Sequence, residues 1–318
     1  MPKLATRSAP RCLTQAPLPQ ALAEYDASAN LSDIGAAFEP LALAGTLFDD
    51  ALITTQNAGA LISCGGGYGA LQRSDMPLRL TRSERRADMR FASEQTVNLT
   101  RVEQDGRVSV VALDRHGQIQ HRVQLGVHDD IAVAQSLEVQ PHQARAATEG
   151  FASNFIPLDA IRCARQGWRG ADVGQHLNAF LVNGGTLRHR TLRHIGKYKA
   201  WEIGLCILPS FVTFLSDKAV SAARVVIGDG LMQLDVGALS GVETHDDVVI
   251  AGSETRRFAL DFKQIASAWV TSMNRCSQLE LYDANGCALA IIGSDPYERD
   301  GVFADMLLAL PAKRMRQR

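Results

Sequence analysis

Hydrophobic and polar residues alternate most regularly between residues 258 and 293, and this stretch predicts a series of β-strands. Phe258, Leu260 and Phe262 alternate with Ala259 and Asp261, the period of two that is typical of a half-buried strand. A turn of Asp, Ala, Asn and Gly separates the last two apolar runs and predicts a hairpin, because Asn and Gly tolerate positive φ. The further predicted runs are 265–271, 278–282 and 287–292.

The same pattern occurs earlier in the chain, at Val108–Leu125. The turn Leu113–Gly117 matches Tyr282–Gly286 at an offset of 169 residues, and Ile53–Asn57 matches Val225–Asp229 at an offset of 172. A near-constant offset over about half of the chain indicates one duplication rather than a series of short repeats. The sequence therefore predicts two copies of one α+β unit.

Other hydrophobic periodicities predict the elements around these hairpins. The most amphipathic helix is predicted at 209–223, where apolar residues recur at spacings of three and four, and Trp269 is expected to be buried against it. Further helices are predicted at 20–43, 129–138, 171–181 and 303–310, and further strands at 52–63, 76–80, 89–99, 224–236 and 248–250. The predicted organisation is a flexible tail at 1–19, a first repeat at 20–138, a linker at 139–165, a second repeat at 166–312 and a basic tail at 313–318.

Composition supports a folded core and argues against several classes of protein. The 318 residues are 46% hydrophobic, enough for one large or two ordinary domains, while a net charge of −1 argues against bulk nucleic-acid binding. No signal peptide is expected, and no stretch approaches the roughly 20 apolar residues of a membrane span. Six scattered cysteines without a C-x-x-C pair are expected to be reduced thiols in a cytoplasmic protein.

Four segments carry a resemblance to a known family. They are IASAWVT (265–271) followed by LELYDANG (279–286), VVIGDGLMQLDVG (225–237), TTQNAGALI (54–62) with Gly66 and Tyr68, and MPLRL (76–80). In their order and spacing, from about residue 50 to 310, they resemble the cytoplasmic haem-utilisation proteins of the HemS/ChuS/HmuS type, called haemin transport proteins or haemin-degrading factors. The resemblance implies two tandem α+β copies, each a large antiparallel sheet with flanking helices, and haem bound between the second-copy sheet and helices.

The resemblance also assigns candidate haem residues. The family's distal arginine falls on Arg79, and an arginine above a haem can hydrogen-bond bound water or a propionate. The family's proximal histidine follows an Asp-Val pair, present here as Asp172 and Val173, but the next residue is Gly174. The nearest imidazole is His176, the candidate iron ligand, although a displacement of two residues turns a side chain by about 200° around a helix.

The propionate end departs further from the family. Its lysine, tyrosine and arginine fall on Met273, Ile292 and Asp295. The basic run 188–199, which includes Arg188 and Arg190, is a candidate substitute because arginine pairs bidentately with carboxylates. An ordinary solvated helix face is the alternative interpretation of the same run.

The leading hypothesis is a cytoplasmic haem-binding protein that receives haem after import, with a haem importer as a candidate partner. Some relatives also cleave haem, so haem-degrading activity stays open, and no independent catalytic residues are identified. One alternative is a non-catalytic interaction protein that keeps the scaffold but has lost haem ligation. Another is a cavity for a different apolar, anionic ligand.

Overall fold

The computed structural model describes residues 29–313, except 82, 84, 93–97, 115, 116, 139–160, 163, 165–167, 169–172, 182, 254, 274, 275 and 298–300. The strands are β1 (Asn30–Gly35), β2 (Ala51–Gln56), β3 (Ala60–Arg73), β4 (Arg86–Phe91), β5 (Asn98–Gln104), β6 (Arg107–Leu113), β7 (Ile119–Leu125), β8 (Ala200–Ile203), β9 (Ser221–Ile227), β10 (Leu231–Ala238), β11 (Glu243–His245), β12 (Val248–Gly252), β13 (Arg256–Asp261), β14 (Ser267–Met273), β15 (Cys276–Tyr282) and β16 (Ala288–Ser294). The helices are α1 (Phe38–Gly45), α2 (His128–Gln135), α3 (Val173–Leu181), α4 (Thr186–Ile195), α5 (Leu208–Asp217) and α6 (Val302–Leu308).

The order of strands in the sheet is nearly symmetric. It runs β1-β5-β6-β7-β2-β3-β4-β10-β9-β16-β15-β14-β8, and β13, β12 and β11 branch from β3. The six strands before β4 are matched in reverse by the six after it. All neighbours are antiparallel except β3 and β4, which are parallel. The fold is therefore the predicted α+β arrangement of two related halves, each with a large antiparallel sheet and flanking helices.

The duplicated hairpins lie where the sequence predicted them. β5, β6 and β7 recur as β14, β15 and β16 at a constant offset of 169 residues. The predicted offset of 172 for the preceding strands is wrong by one residue. Thr55 pairs with His121 in the first half and Val226 pairs with Ala290 in the second, which makes that offset 171. Because side chains alternate along a strand, a shift of one residue moves each side chain to the other face.

Each half contributes one strand that pairs with the other half. β4 pairs with β10 across Met89 and Gln233, and β13 pairs with the first part of β3 across Phe258 and Ile62. The predicted boundaries of the two repeats, 20–138 and 166–312, stay a prediction, and most of the predicted linker lies outside the described residues.

The sheet of the second half carries helices on both faces. On one face, Phe211 of α5 and Phe303 of α6 pack in a cluster with Ala268 and Val270. Trp269 lies between Ala268 and Val270 in the chain, but it belongs to a separate cluster on the opposite face, with Leu177 of α3 and Leu192 of α4. The predicted burial of Trp269 is confirmed, since 5% of it is exposed, but the predicted contact with α5 is wrong because side chains alternate across the strand.

Several predicted elements differ from the observed ones. The segment 76–80 is irregular, and its backbone is held by the side chains of Gln72 and Arg90. The predicted strand 89–99 covers the end of β4 and the start of β5, while β1 occupies part of the predicted helix 20–43. The predicted helix 209–223 ends at Asp217, and Ala219 takes a positive φ of 48° before β9 begins.

None of the four described cysteines, Cys64, Cys206, Cys276 and Cys287, forms a disulfide within the described part of the chain. Within the described part of the chain, no helix is both long and apolar enough to cross a membrane.

A buried histidine belongs to a chain of hydrogen bonds that connects the two halves. The Tyr68 hydroxyl lies 2.6 Å from Nε2 of His121, and the Thr55 hydroxyl lies 2.8 Å from its Nδ1 and donates to Gln233 of β10. Because the only proton of the Thr55 hydroxyl goes to Gln233, the His121 Nδ1–H must donate to Thr55. Burial lowers the pKa of His121 from 6.5 to about 3.

Trp269→Ala is expected to lower the free energy of unfolding by about 3–5 kcal/mol, because it removes a buried indole from a packed cluster. Urea denaturation monitored by circular dichroism measures this change. Tyr198→Ala is the matched control, because Tyr198 is 80% exposed, and we expect little effect there. A wild-type free energy of unfolding in Trp269→Ala would contradict the packing.

His121 should make the fold sensitive to acid. The pKa of His121 in the folded state lies below the ordinary value of 6.5, so as the pH falls from 6.5 toward 3 the histidine is protonated in the unfolded chain but stays neutral in the folded chain. Over that window the free energy of unfolding falls by up to about 1.4 kcal/mol per pH unit. Urea denaturation between pH 7 and about 4 should therefore show that the free energy of unfolding falls less steeply with pH in His121→Gln than in wild type. Parallel curves would contradict the assignment.

Candidate functional site

The candidate site is the layer between α3, α4 and the β14–β15 face of the second-half sheet. Leu177, Phe180 and Leu181 form the buried stripe of α3, and α4 buries Leu192 beside two polar residues, Arg188 and Thr191. The helices are joined through Gly185, whose φ is 77° and where a Cβ would lie 2.8 Å from the Phe180 ring. This close turn places the two helices side by side on the sheet.

A buried ion pair joins α4 to the sheet. Arg188 donates from Nε to Oε2 of Glu280 at 2.9 Å and from Nη2 to Oε1 at 2.5 Å. Only 6% of the arginine side chain and none of the glutamate side chain is exposed. The guanidinium carbon also lies 4.7 Å from the centre of the Trp168 ring and 4.9 Å from that of Phe180. The run 188–199 is therefore not simply a solvated face, since Arg188 is part of the interior.

Glu280 receives hydrogen bonds from four side chains. Besides Arg188, Thr271 donates at 2.6 Å, Gln278 at 2.9 Å and Tyr282 at 2.5 Å. Burial raises the pKa of Glu280. The positive charge of Arg188 and the hydrogen bonds from Arg188, Thr271 and Tyr282 lower it by more, so the pKa of Glu280 lies below its ordinary value. Glu280 is a charged carboxylate in an apolar layer. Sequence reasoning missed it, because a lone Glu between two leucines on a strand ordinarily faces solvent.

His176 lies against this ion pair. It is 6% exposed, and its Nδ1 is 3.2 Å from Nη1 of Arg188. The Trp168 ring meets the imidazole edge-on at a centroid distance of 5.2 Å, and the Trp168 indole N–H donates to the Ser272 carbonyl. An arginine only donates hydrogen bonds, so Nδ1 of His176 accepts, and the proton of the neutral imidazole is on Nε2.

Arg79 lies on an exposed part of the segment 74–81, whose leucines Leu78 and Leu80 pack on the same apolar cluster as α3. Gln72 binds both the N–H and the carbonyl of Arg79. The structure thus brings the Arg79 backbone to the edge of the site.

Arg90 connects this segment to α3. The residue is 1% exposed, and its guanidinium donates to the Asn178 side chain at 2.8 Å and to the carbonyls of Ser74 and Met76 at 3.1 and 3.0 Å. Asn178 also donates to Ser74 at 2.6 Å. Sequence reasoning missed Arg90, because an arginine in the pattern of a strand carries no signal of burial.

The other candidates on α4 are less buried than Arg188. His189 is half-buried, its Nε2 lies 3.0 Å from the Ser267 hydroxyl, and its ring stacks at 4.5 Å on Tyr282. Burial and the neighbouring Arg193 lower the pKa of His189. Arg190 is half-buried and His194 is exposed.

The three positions that the resemblance assigned to propionate-binding side chains carry other residues here. Met273 is buried, with its sulfur 4.0 Å from Nη2 of Arg188. Ile292 lies in the cluster on the α5 and α6 face, so a side chain at 292 does not reach the candidate site. Asp295 is buried and accepts from the Ser221 hydroxyl and the Tyr297 N–H at 2.6 and 2.8 Å.

In the ligand-free chain, His176 and Arg188 are already engaged with partners in the chain itself. A neutral imidazole binds iron through a nitrogen lone pair, and in His176 the proton occupies Nε2 while Nδ1 faces Arg188. Arg188 itself is already paired with Glu280 rather than with a ligand carboxylate. Among the described residues, no three His, Cys, Asp or Glu side chains group as a metal site.

Neither known family models nor curated proteins match this sequence. Solved structures do match. The chain is similar to holo-PhuS, a haem-binding protein from Pseudomonas aeruginosa, with 18% identity over 89% of this chain and 88% of that chain and a TM-score of 0.73. It is also similar to ChuS, a haem oxygenase from E. coli, with 16% identity over 92% of each chain and a TM-score of 0.67. At these identities the likeness shows that the chain shares their fold.

Replacing Arg188 alone should be worse than replacing the pair. Arg188→Met leaves the Glu280 charge buried and unpaired, and we expect a loss of about 3–5 kcal/mol in the free energy of unfolding. Arg188→Met with Glu280→Gln removes both charges and should recover most of that loss. Urea denaturation of both variants measures the difference. Arg73→Met, which breaks an exposed pair with Glu39, is the control and should change little. Equal losses in the single and double variants would contradict the charge argument.

Proposed function

We propose that this chain is a cytoplasmic haem-binding protein of haem utilisation, which receives haem after import and passes it on. Two observations carry the proposal. The fold of two haem proteins extends over 89% and 92% of the chain, and α3 buries a histidine against the second-half sheet, between sheet and helices. A haem importer on the cytoplasmic side is the proposed donor. Haem cleavage is left out of the proposal, because a shared fold does not carry an activity.

Within this proposal haem binds beside α3 and α4. His176 is the candidate iron ligand because it is the buried histidine of α3, and His189 and His194 are the runners-up. Arg79 is the candidate distal group, and Arg190 is the candidate partner of a propionate. Arg188 acts on the ligand only through its bond to His176, because its remaining nitrogens bind Glu280.

A second candidate is a non-catalytic interaction protein on the same scaffold. The observation that favours it is the hydrogen bond between Arg188 and His176, together with apolar residues at 273 and 292. The two functions predict opposite results in one titration.

Haemin added to the purified chain should give a sharpened Soret band that saturates at one haemin per chain. His176→Ala should shift the Soret maximum and weaken binding, whereas Arg79→Ala should alter the spectrum and leave the bond from the protein to iron in place. His245→Ala is the matched control, because His245 is exposed on β11, outside the α3–α4 layer.

The pattern across variants assigns the ligand. An unchanged spectrum in His176→Ala with an altered one in His189→Ala or His194→Ala would move the ligand to α4. Broad, non-saturating absorbance in the wild-type chain would refute haem binding and favour the interaction protein.

A further inference from the structure

We propose that Arg188, aimed by Glu280, holds His176 in a form without a lone pair at Nε2, and that this bond weakens the grip of the chain on haem. The inference rests on the proposed function for its second part. Its first part concerns the ligand-free protein alone and is tested without haem.

The geometry of the guanidinium carries the first step. Arg188 presents Nε and Nη2 to the two oxygens of Glu280, at 2.9 and 2.5 Å. A guanidinium is planar and rigid, so this two-point contact fixes where the third nitrogen, Nη1, lies. That nitrogen is 3.2 Å from Nδ1 of His176. Glu280 therefore orients Arg188, and Arg188 orients the imidazole.

The packing around the ion pair carries the second step. Thr271, Gln278 and Tyr282 all donate to Glu280, which fixes the carboxylate on the sheet. Trp168 and Phe180 lie against the guanidinium, each within 5 Å of its central carbon. Arg188 cannot swing away from His176 without leaving a buried carboxylate unpaired, which is costly.

The consequence is a competition for one ring. Arg188 stabilises the form of His176 that carries its proton on Nε2, and only the fraction of molecules in which that bond is broken has a ring that can bind iron. The apparent affinity is reduced by that fraction. A protein that passes its ligand on benefits from such weakening, because a carrier must release what it binds.

The first arm of the test reads the protonation of the ring directly. Long-range nitrogen–proton correlation spectra of the ligand-free chain, grown with isotope-labelled histidine, distinguish Nε2–H from Nδ1–H, and His176→Gln assigns the signal. Wild type should show Nε2–H at His176. The double variant Arg188→Met, Glu280→Gln should show a mixture of the two forms. Arg188→Lys is the second variant, because lysine keeps a charge for Glu280 but has one nitrogen instead of a fork.

The second arm is a haemin titration of the same proteins. Affinity should rise roughly tenfold or more in the double variant and in Arg188→Lys. Adding His176→Gln should abolish that gain. Arg107→Met is the control, because Arg107 is an exposed arginine at the start of β6 in the first half, outside the α3–α4 layer, and it should leave both readouts as in wild type.

The outcomes separate this inference from the proposed function. A wild-type His176 with its proton on Nδ1 overturns the inference whatever haemin does. Haemin affinity that is unchanged in both Arg188 variants, or a gain that survives His176→Gln, overturns the role of Arg188 while haem binding stands. Absence of saturable haemin binding in every protein overturns the proposed function, and the second part of the inference with it.

Discussion

The candidate site depends on one interaction, the buried contact between Glu280 of the sheet and Arg188 of α4. A carboxylate in an apolar layer is stable only when its hydrogen-bonding capacity is filled and its charge is paired. Four side chains meet that requirement here. The ion pair also orients Arg188, because a two-point contact fixes the plane of the guanidinium. That plane determines that its third nitrogen meets the imidazole of His176. Packing of Trp168, His176 and Phe180 follows from that plane.

The fold was largely predictable from the sequence, because its strongest signals are local. Alternation and an Asn-Gly turn predict the hairpin at β15–β16, and the same signal at β6–β7 predicts the duplication. Predictions failed where non-local contacts decide the structure. Residues 76–80 have the composition of a strand, but the side chains of Gln72 and Arg90 bind the backbone of this segment and no partner strand among the described residues does. The face chosen by Trp269 depends on which helix covers which side, and a single strand pattern does not contain that information.

The site was less predictable than the fold. His176 and Arg188 were identified, but as separate candidates, since residues 12 apart on two helices carry no sign of contact. The basic run was a candidate for binding the carboxylates of a ligand, with a solvated helix face as the alternative, and Arg188 does bind a carboxylate, which belongs to the chain itself. Glu280 and Arg90 were missed because burial of a charged residue depends on partners distant in sequence. Arg190 and Arg79 remain candidates, and the structure adds no ligand contact for either.

The pairing of β4 with β10, and of β13 with β3, has a consequence for the order in which the chain folds. As the polypeptide leaves the ribosome, the edge of β4 waits for a partner that has not yet been made, because Met89 meets Gln233 from the other half. An unpaired strand edge is a site of wrong association, and such long-range pairing forms slowly. Each half therefore has a strand edge that stays unpaired until the other half is present, and the nascent first half is open to wrong association during that interval.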